Sequence, residues 1–303
     1  MPRRGSGSLA FVFINTWNIL VRAAVLYGRH FLTYIGIFAP IIVIDEISLL
    51  CSIPPAGVNT ITKTAAITNF VGSLVACIGL CIVISAASWA ISRNFFGEHF
   101  SIKSAYSQVF RRFPRLIWTY IIVGIVAGVL LIPLMYFRHP FNEHANSMDR
   151  FLYYFLISMP DMISIPLLYF SIIISMSEKK YAFNALKRFV KIFLSSPGEF
   201  LFLLILFFPL KVVLRHYLFM LIYKIFWKDW VLPTIWIIAY SRLFHLLIEP
   251  FMLICFVLLY YYVRMRKEHI SLKTLAQGLR YGAGPGRKDT TVSINLPDYP
   301  NLC

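Results

Sequence analysis

The chain has 303 residues, of which 59% are hydrophobic and only 14% charged, and its mean hydropathy is +0.72. That length would accommodate two soluble domains, but there is too little polar surface to clothe them. The expected class is all-α, one polytopic helical membrane domain over residues 1–281 followed by a disordered tail, 282–303.

Met1–Ser8, MPRRGSGS, is a short basic leader. Asn18 and Arg22 interrupt the apolar region behind it and no clean small-residue cleavage site follows, so it reads as retained. Next comes an amphipathic stretch in which Trp17, Leu20, Val21 and Ala24 oppose Asn15, Asn18, Arg22 and Arg29. The first spanning candidate is 31–50, ending at Asp45–Glu46 before the turn at Pro54–Pro55. The second, 66–91, is rich in small residues (Gly72, Ser73, Ala76, Gly79) that let helices approach closely.

The amphipathic pattern returns at Ser101–Phe113. There Ile102, Ala105, Tyr106, Val109, Phe110 and Phe113 share one face, and Lys103, Ser107, Arg111 and Arg115 another. The third span, 116–137, carries Gly124 and Gly128 in GxxxG spacing. Intramolecular packing explains that spacing as readily as dimerisation does. A polar loop, Arg138–Arg150, leads to the fourth span, 151–176, with Pro160, Asp161 and Pro166.

A third copy starts at Tyr181, with Phe183, Leu186, Val190 and Phe193 opposite Lys187, Arg188 and Lys191. The fifth span, 199–222, holds Lys211, Arg215 and His216 near its far end. Trp227–Trp230 marks an interfacial loop. The sixth span, 233–263, carries Arg242, His245 and Glu249. A last amphipathic helix, 268–281, sets Leu272, Leu275 and Leu279 against Lys273, Gln277 and Arg280.

The helix breakers keep one beat. Pro40, Gly124 and Pro209 recur at intervals of 84 and 85 positions, and Pro166 and Pro250 lie 84 apart. The expected organisation is three tandem units, about 9–91, 100–176 and 181–263, each an amphipathic helix followed by two spanning helices. Successive units would enter the membrane in the same sense, which predicts a pseudo-three-fold six-helix bundle. The Lys and Arg residues outside the spans divide twenty-one to five between its two sides. The positive-inside rule therefore places both termini in the cytoplasm. It also accounts for the net charge of +16 without nucleic acid, since basic helices beside a membrane meet an anionic leaflet.

At the C-terminal junction, Leu258–Leu279 contains Tyr260, Tyr261, Arg264, Arg266, Lys267, Glu268, Leu272, Leu275 and Ala276. In these residues it resembles the close of the bacterial membrane-domain family named after glycerophosphoryl diester phosphodiesterase. That family ends in a Tyr-rich turn, R-x-R-x-E and an amphipathic D-L-x-x-L-A. Tyr262 and Ser271 stand where the family has acidic residues. The inner junctions AYSQVFRRF at Ala105 and ALKRFVKIF at Ala185 are similar to the family's internal pattern. The resemblance implies a six-helix membrane module, usually of unknown biochemical activity. The soluble phosphodiesterase domain fused to some members has no counterpart in this sequence.

Motifs of chemistry are sparse. There is no P-loop, GxSxG, HExxH or paired Cys/His ligand set, so no metal, no cofactor and no enzymatic activity are expected. The five cysteines form no CxxC, and Cys77 and Cys81 read as small hydrophobes within a helix. Ionisable residues inside the bilayer are costly, about 2.5–3.5 kcal/mol each on insertion scales. This singles out an intramembrane set of Asp161, Arg242, His245 and Glu249. The set is open to three readings: satisfied pairs that fix packing, a polar cavity for a headgroup, ion or proton, or catalysis. Asp161 and His245 lie one period apart, with Ala76–Cys77 at the third equivalent position.

The expected lipid-headgroup contacts are Arg22, Arg29, Lys103, Arg111, Arg112, Lys187, Arg188, Lys191 and Lys273. The favoured function is a bacterial inner-membrane module that binds or organises anionic phospholipid. The alternatives are a transporter or channel using the intramembrane set, and an accessory subunit of a larger membrane assembly.

Overall fold

The computed structural model of the chain describes residues 9–52, 63–136, 164, 166–212 and 234–268, and all of its regular structure there is helical. In chain order the helices are α1 (Leu9–Arg29), α2 (Phe31–Ser52), α3 (Lys63–Phe95), α4 (Ile102–Tyr136), α5 (Pro166–Glu178), α6 (Phe183–Ser195), α7 (Pro197–Val212) and α8 (Thr234–Glu268). Three helical segments are long and apolar enough to cross a membrane on their own: Phe70–Phe95, Ile102–Val129 and Leu246–Glu268. Two more candidates arise from bent pairs, in which α1 meets α2 at 87° and α6 meets α7 at 96°. The protein is therefore a multi-pass membrane protein with three to five candidate spans among the described residues. The expected interfacial loop around Trp227–Trp230, the terminal amphipathic helix and the tail lie outside the described residues.

The breaks have local causes. Ser196 ends α6 and precedes Pro197, whose ring disfavours helical geometry at the residue before it while suiting the first position of the next helix. Ser196 accordingly leaves helical φ/ψ (φ −151°, ψ 55°) and its N–H bonds the Phe193 carbonyl at 3.1 Å. The second unit differs from the expected plan, because its amphipathic and spanning parts run as the single helix α4, through Pro114.

The core lies where α3, α5 and α8 run together. Residues 83–92, 169–176 and 252–261 are buried on every side of their helices, as expected of helices surrounded by protein. Ala86, Ala87 and Ala90 keep α3 thin enough for close approach. Phe170 stacks between Phe200 and Phe256, at 4.6 and 5.3 Å between ring centroids. Phe95 lies flat on Tyr261 at 5.4 Å.

Around this core, α1 packs against α7 and α8, α2 against α3 and α8, and α4 against α3. Two hydroxyls tie α1 to α8 and α4 to α2 through backbone carbonyls. Tyr27 donates to Leu247 at 2.8 Å and Tyr106 to Ile37 at 2.6 Å.

The surface helices need a correction. The bulky stripe that sequence periodicity marks as their apolar face is largely exposed: Trp17 and Val21 on α1, Ile102 and Phe110 on α4, Phe183 and Val190 on α6. The faces turned to the protein are Thr16, Ile19 and Ala23 on α1; Ala105 and Val109, which periodicity does place on the apolar face, with Leu116 on α4; and Ala185, Phe189 and Ile192 on α6. Within each set the spacings are three, four or seven residues, which keep to one helix face. The helices thus have three sectors rather than two. One packs on the bundle, one presents large apolar side chains outward, and one carries the polar residues. A two-sided wheel merges the first two sectors, and that is how Arg188 came to be placed among outward-facing residues.

Gly79 sets the distance between α2 and α3. A Cβ there would lie 2.4–2.9 Å from three side-chain carbons of Ile44. Gly79→Ala should therefore overpack this contact and cost about 1–3 kcal/mol. Gly28→Ala meets nothing within 4 Å and should stay within about 0.5 kcal/mol of the parent. Thermal unfolding in a single detergent, read as Tm, separates the two.

Candidate functional site

The bundle end where α3, α5 and α8 finish gathers most of the described ion pairs. Glu178 is the last residue of α5 and the only acidic residue between Asp161 and Glu199. Its carboxylate is reached from four directions. Lys180 pairs with it at 2.8 Å, Arg188 of α6 donates at 2.9 Å, the Tyr260 hydroxyl donates at 2.8 Å, and Arg264 of α8 stands at 3.5 Å. Arg188 also bonds Glu268, which Arg264 holds at 3.1 Å one turn earlier on α8. Arg264 further lies over the Tyr260 ring, 5.5 Å from its centroid. Two carboxylates and two guanidiniums therefore alternate across α5, α6 and α8. Side-chain exposures of 7% for Glu178, 12% for Arg188 and 13% for Arg264 place the cluster inside the fold, and Lys180 at 47% forms its rim.

Burial alone would push the Glu178 carboxyl up. The hydrogen bond from Lys180 and the charges of Arg264 and Arg188 outweigh it and hold the group below the usual glutamate range. A second bridge ties α8 to the α6–α7 corner. Arg266 pairs with buried Glu199 at 2.7 Å and donates to the Ser196 hydroxyl at 2.9 Å.

The segment between α5 and α6 turns sharply. Lys179 and Ala182 both adopt φ of 55°, a left-handed conformation that costs a non-glycine residue about 1–2 kcal/mol. The turn is held from α4, where the Thr119 hydroxyl accepts the Ala182 N–H at 2.8 Å and Arg115 lies over the Tyr181 ring at 5.6 Å.

The expected lipid contacts divide. Arg29, Lys103, Arg111, Lys187 and Lys191 are exposed and Arg22 is half-buried. Arg188 belongs to the ionic cluster. Arg112 is also half-buried and donates to the Met176 carbonyl at 3.0 Å, near the end of α5. Lys273 lies outside the described residues.

Of the intramembrane set, Asp161 is outside the described residues, and so are the side chains of Arg242 and His245 on α8. Glu249, one residue before Pro250, accepts a hydrogen bond from the buried Tyr169 hydroxyl of α5. Among the described residues no group of three His, Cys, Asp or Glu side chains comes together.

Sequence reasoning overlooks Glu178 and Glu199 as partners, and reads Arg264 and Arg266 as topology charges and, with Glu268, as marks of a resemblance. A usable signal was present. With 13 acids against 29 Lys and Arg, a buried acid marks a place where cations are held, as Glu178 and Glu199 do.

Glu178→Ala would leave Arg188 and Arg264 to share Glu268 as their one remaining described anion. Breaking a buried pair in this way costs about 3–5 kcal/mol, and the partial exposure here places the expected loss near the lower end. Lys180→Ala, at the rim, should cost less than about 1 kcal/mol. Because the Glu178 carboxyl is lowered on folding, its contribution is complete above the unfolded glutamate pKa of roughly 4.3 and is lost as pH falls through the folded value. The difference in Tm between parent and Glu178→Gln should therefore shrink on acidification below that value. A difference that is flat with pH would assign the stability to packing alone.

Comparison with family models, with curated proteins and with solved structures gives no match to this chain.

Proposed function

We propose that the protein binds and organises anionic phospholipid in the bacterial inner membrane, as a scaffold without enzymatic activity. The observation that carries this is the three-sector surface helix. On α6 the sector beside the bundle is Ala185, Phe189 and Ile192, the outward apolar sector is Phe183, Val190 and Leu194, and the exposed cations are Lys187 and Lys191. A helix with these sectors, set at 96° to the helix that follows it, suits the boundary between headgroups and acyl chains. Its apolar side chains would enter the chain region and its lysines would meet phosphate, at about 1 kcal/mol for each cation near an anionic surface. α1 offers the same division, with Phe13, Trp17 and Val21 outward and Asn18 and Arg29 polar, at 87° to α2.

The proposed architecture is three such units around the central α3, α5 and α8, six spans in all, with both termini cytoplasmic. The recurrence of fully buried stretches at about the sequence period supports it, as does the hydrogen bond between Ser177 and Tyr261, 84 residues apart. Cysteines at Asn142 and Thr60 should label from outside intact cells, and one at Lys180 only after permeabilisation. Labelling at Lys180 in intact cells would overturn the orientation.

A second function, proton or ion handling within the bundle, is favoured by one specific observation. Protonatable groups meet there across four helices: Glu249 with Tyr169, and Tyr120 of α4 with Cys77 of α3. A proton flux in liposomes that Glu249→Gln abolishes would support it over the scaffold.

For the scaffold itself, Lys187→Gln with Lys191→Gln leaves the Arg188 cluster intact. This variant should hold anionic lipid more weakly at low salt, by up to about thirtyfold for two surface cations at about 1 kcal/mol each. Unchanged lipid content and selectivity would leave these lysines as topology signals only.

A further inference from the structure

Pro40 lies inside α2 and Pro250 inside α8. A proline has no N–H, so the carbonyls of Gly36 and Leu246 lack the helical donor four residues ahead of them. In both helices a tyrosine hydroxyl from another helix bonds the very next carbonyl. Tyr106 of α4 donates to Ile37 at 2.6 Å, and Tyr27 of α1 donates to Leu247 at 2.8 Å. Ile37 and Leu247 each stand three residues before their proline. Side-chain donors from neighbouring helices are one of the means by which a proline is accommodated within a membrane helix.

The neighbouring pair of helices supplies a contrast. Aligned on their common pattern, AYSQVFRRF of α4 and ALKRFVKIF of α6 place Leu186 where α4 has Tyr106. The helix on which α6 packs is α4, and its breaker is Gly124, which keeps its N–H. A hydroxyl is thus present beside Pro40 and absent from the equivalent place beside Gly124. The surroundings of Pro209 in α7 lie outside the described residues.

Both donors sit on amphipathic stretches whose other sectors face outward. Trp17, Val21 and Val25 of α1 are exposed, as are Ile102, Lys103, Phe110 and Arg111 of α4. Each stretch also presses on the helix it bonds. A Cβ on Gly36 would lie 2.7 Å from the Ile102 Cδ1, so the start of α4 rests on the turn before Pro40. The Tyr27 ring lies 6.0 Å from that of Phe251, the residue after Pro250.

We infer that Tyr106 and Tyr27 are latches that couple the amphipathic helices to the bends of α2 and α8, so that anionic phospholipid gathered at α4 and α1 resets the spans at Pro40 and Pro250. A proline turn is where a helix changes its bend with the least loss of backbone bonding. With the hydroxyl engaged, that turn is held from outside the helix, and with it withdrawn the turn is free to open. Lipid shifts the balance by preferring one position of the amphipathic helix, since a ligand moves an equilibrium only through its difference in affinity for the two states. The inference rests on the lipid-binding function proposed above and gives it an output inside the bundle.

The test uses the full chain in nanodiscs of phosphatidylcholine, with and without phosphatidylglycerol, and follows amide hydrogen exchange over residues 37–44 and 247–254 by mass spectrometry. Tyr106→Phe should speed exchange at 37–44 by about fivefold, as for one lost hydrogen bond, and leave 247–254 as in the parent. Tyr27→Phe should do the reverse. In the parent, phosphatidylglycerol should shift exchange at both segments, and each Phe variant should lose the shift in its own segment alone. Pro40→Ala restores a donor to the Gly36 carbonyl, so it should slow exchange at 37–44 and abolish the lipid shift there with Tyr106 still present. That variant keeps the test decisive if a Phe variant folds poorly. Exchange unchanged in both Phe variants, a rise at both segments in either one, or a lipid shift that survives in them would overturn the latches. So would a parent that shows no lipid shift, and low-salt lipid retention dependent on Lys187 and Lys191 would in that case leave the scaffold function standing.

Discussion

The Glu178 carboxylate is the point on which the described structure turns. It ends a helix buried on all sides, and a single acidic group there gathers Lys180, Arg188, Arg264 and the Tyr260 hydroxyl. Through Arg188 it fastens a surface helix to the core, and through Arg264 it fastens the end of α8. Removing such charges from water is costly, and the cost is offset only because every member of the cluster has an opposite partner. The ends of helices that emerge from lipid have few other means of fixing their neighbours, since apolar contacts within a bilayer give little preference for protein over lipid. Placing the polar cluster at the ends of α5 and α8 lets most of the bundle's middle be built from small residues, branched aliphatic side chains and aromatic rings.

The same economy explains the surface helices. Their protein-facing rows use Ala, Val, Ile and Phe of moderate total bulk, and the largest apolar groups point away from the bundle. In water that arrangement would be an aggregation hazard. Under the proposed function it is a means of partial insertion, in which the outward row would meet acyl chains and the next sector headgroups. The bend between α6 and α7 follows from the backbone preferences of Ser196–Pro197, so a local proline rule sets the orientation of α6 against α7.

Much of the fold was legible in the sequence. Apolar length marked α2, α3, α7 and α8, and helical periodicity marked the amphipathic stretches at α1, α4 and α6. Their inward faces were not legible, because periodicity detects apolar residues without distinguishing a protein neighbour from a lipid one. Phe183 and Phe189 look alike on a wheel, yet one is exposed and the other buried. The ionic cluster was illegible for a different reason. Glu178, Arg188 and Glu268 are separated by 10 and 80 positions, and no local spacing announces that they meet. Arg112 was visible as a basic residue, but its place in the buried row emerged only once Ala105, Val109 and Leu116 were seen to face the bundle.

The central claim is that α6 lies at the lipid–water boundary with three distinct sectors, and a spin-label accessibility scan along Phe183–Leu194 in liposomes tests it directly. Labels at Phe183, Val190 and Leu194 should be relaxed by lipid-soluble oxygen, and labels at Lys187 and Lys191 by a water-soluble nickel chelate. Labels at Ala185, Phe189 and Ile192 should be protected from both. Nickel access at Phe183, Val190 and Leu194 would place that face in water and contradict the account.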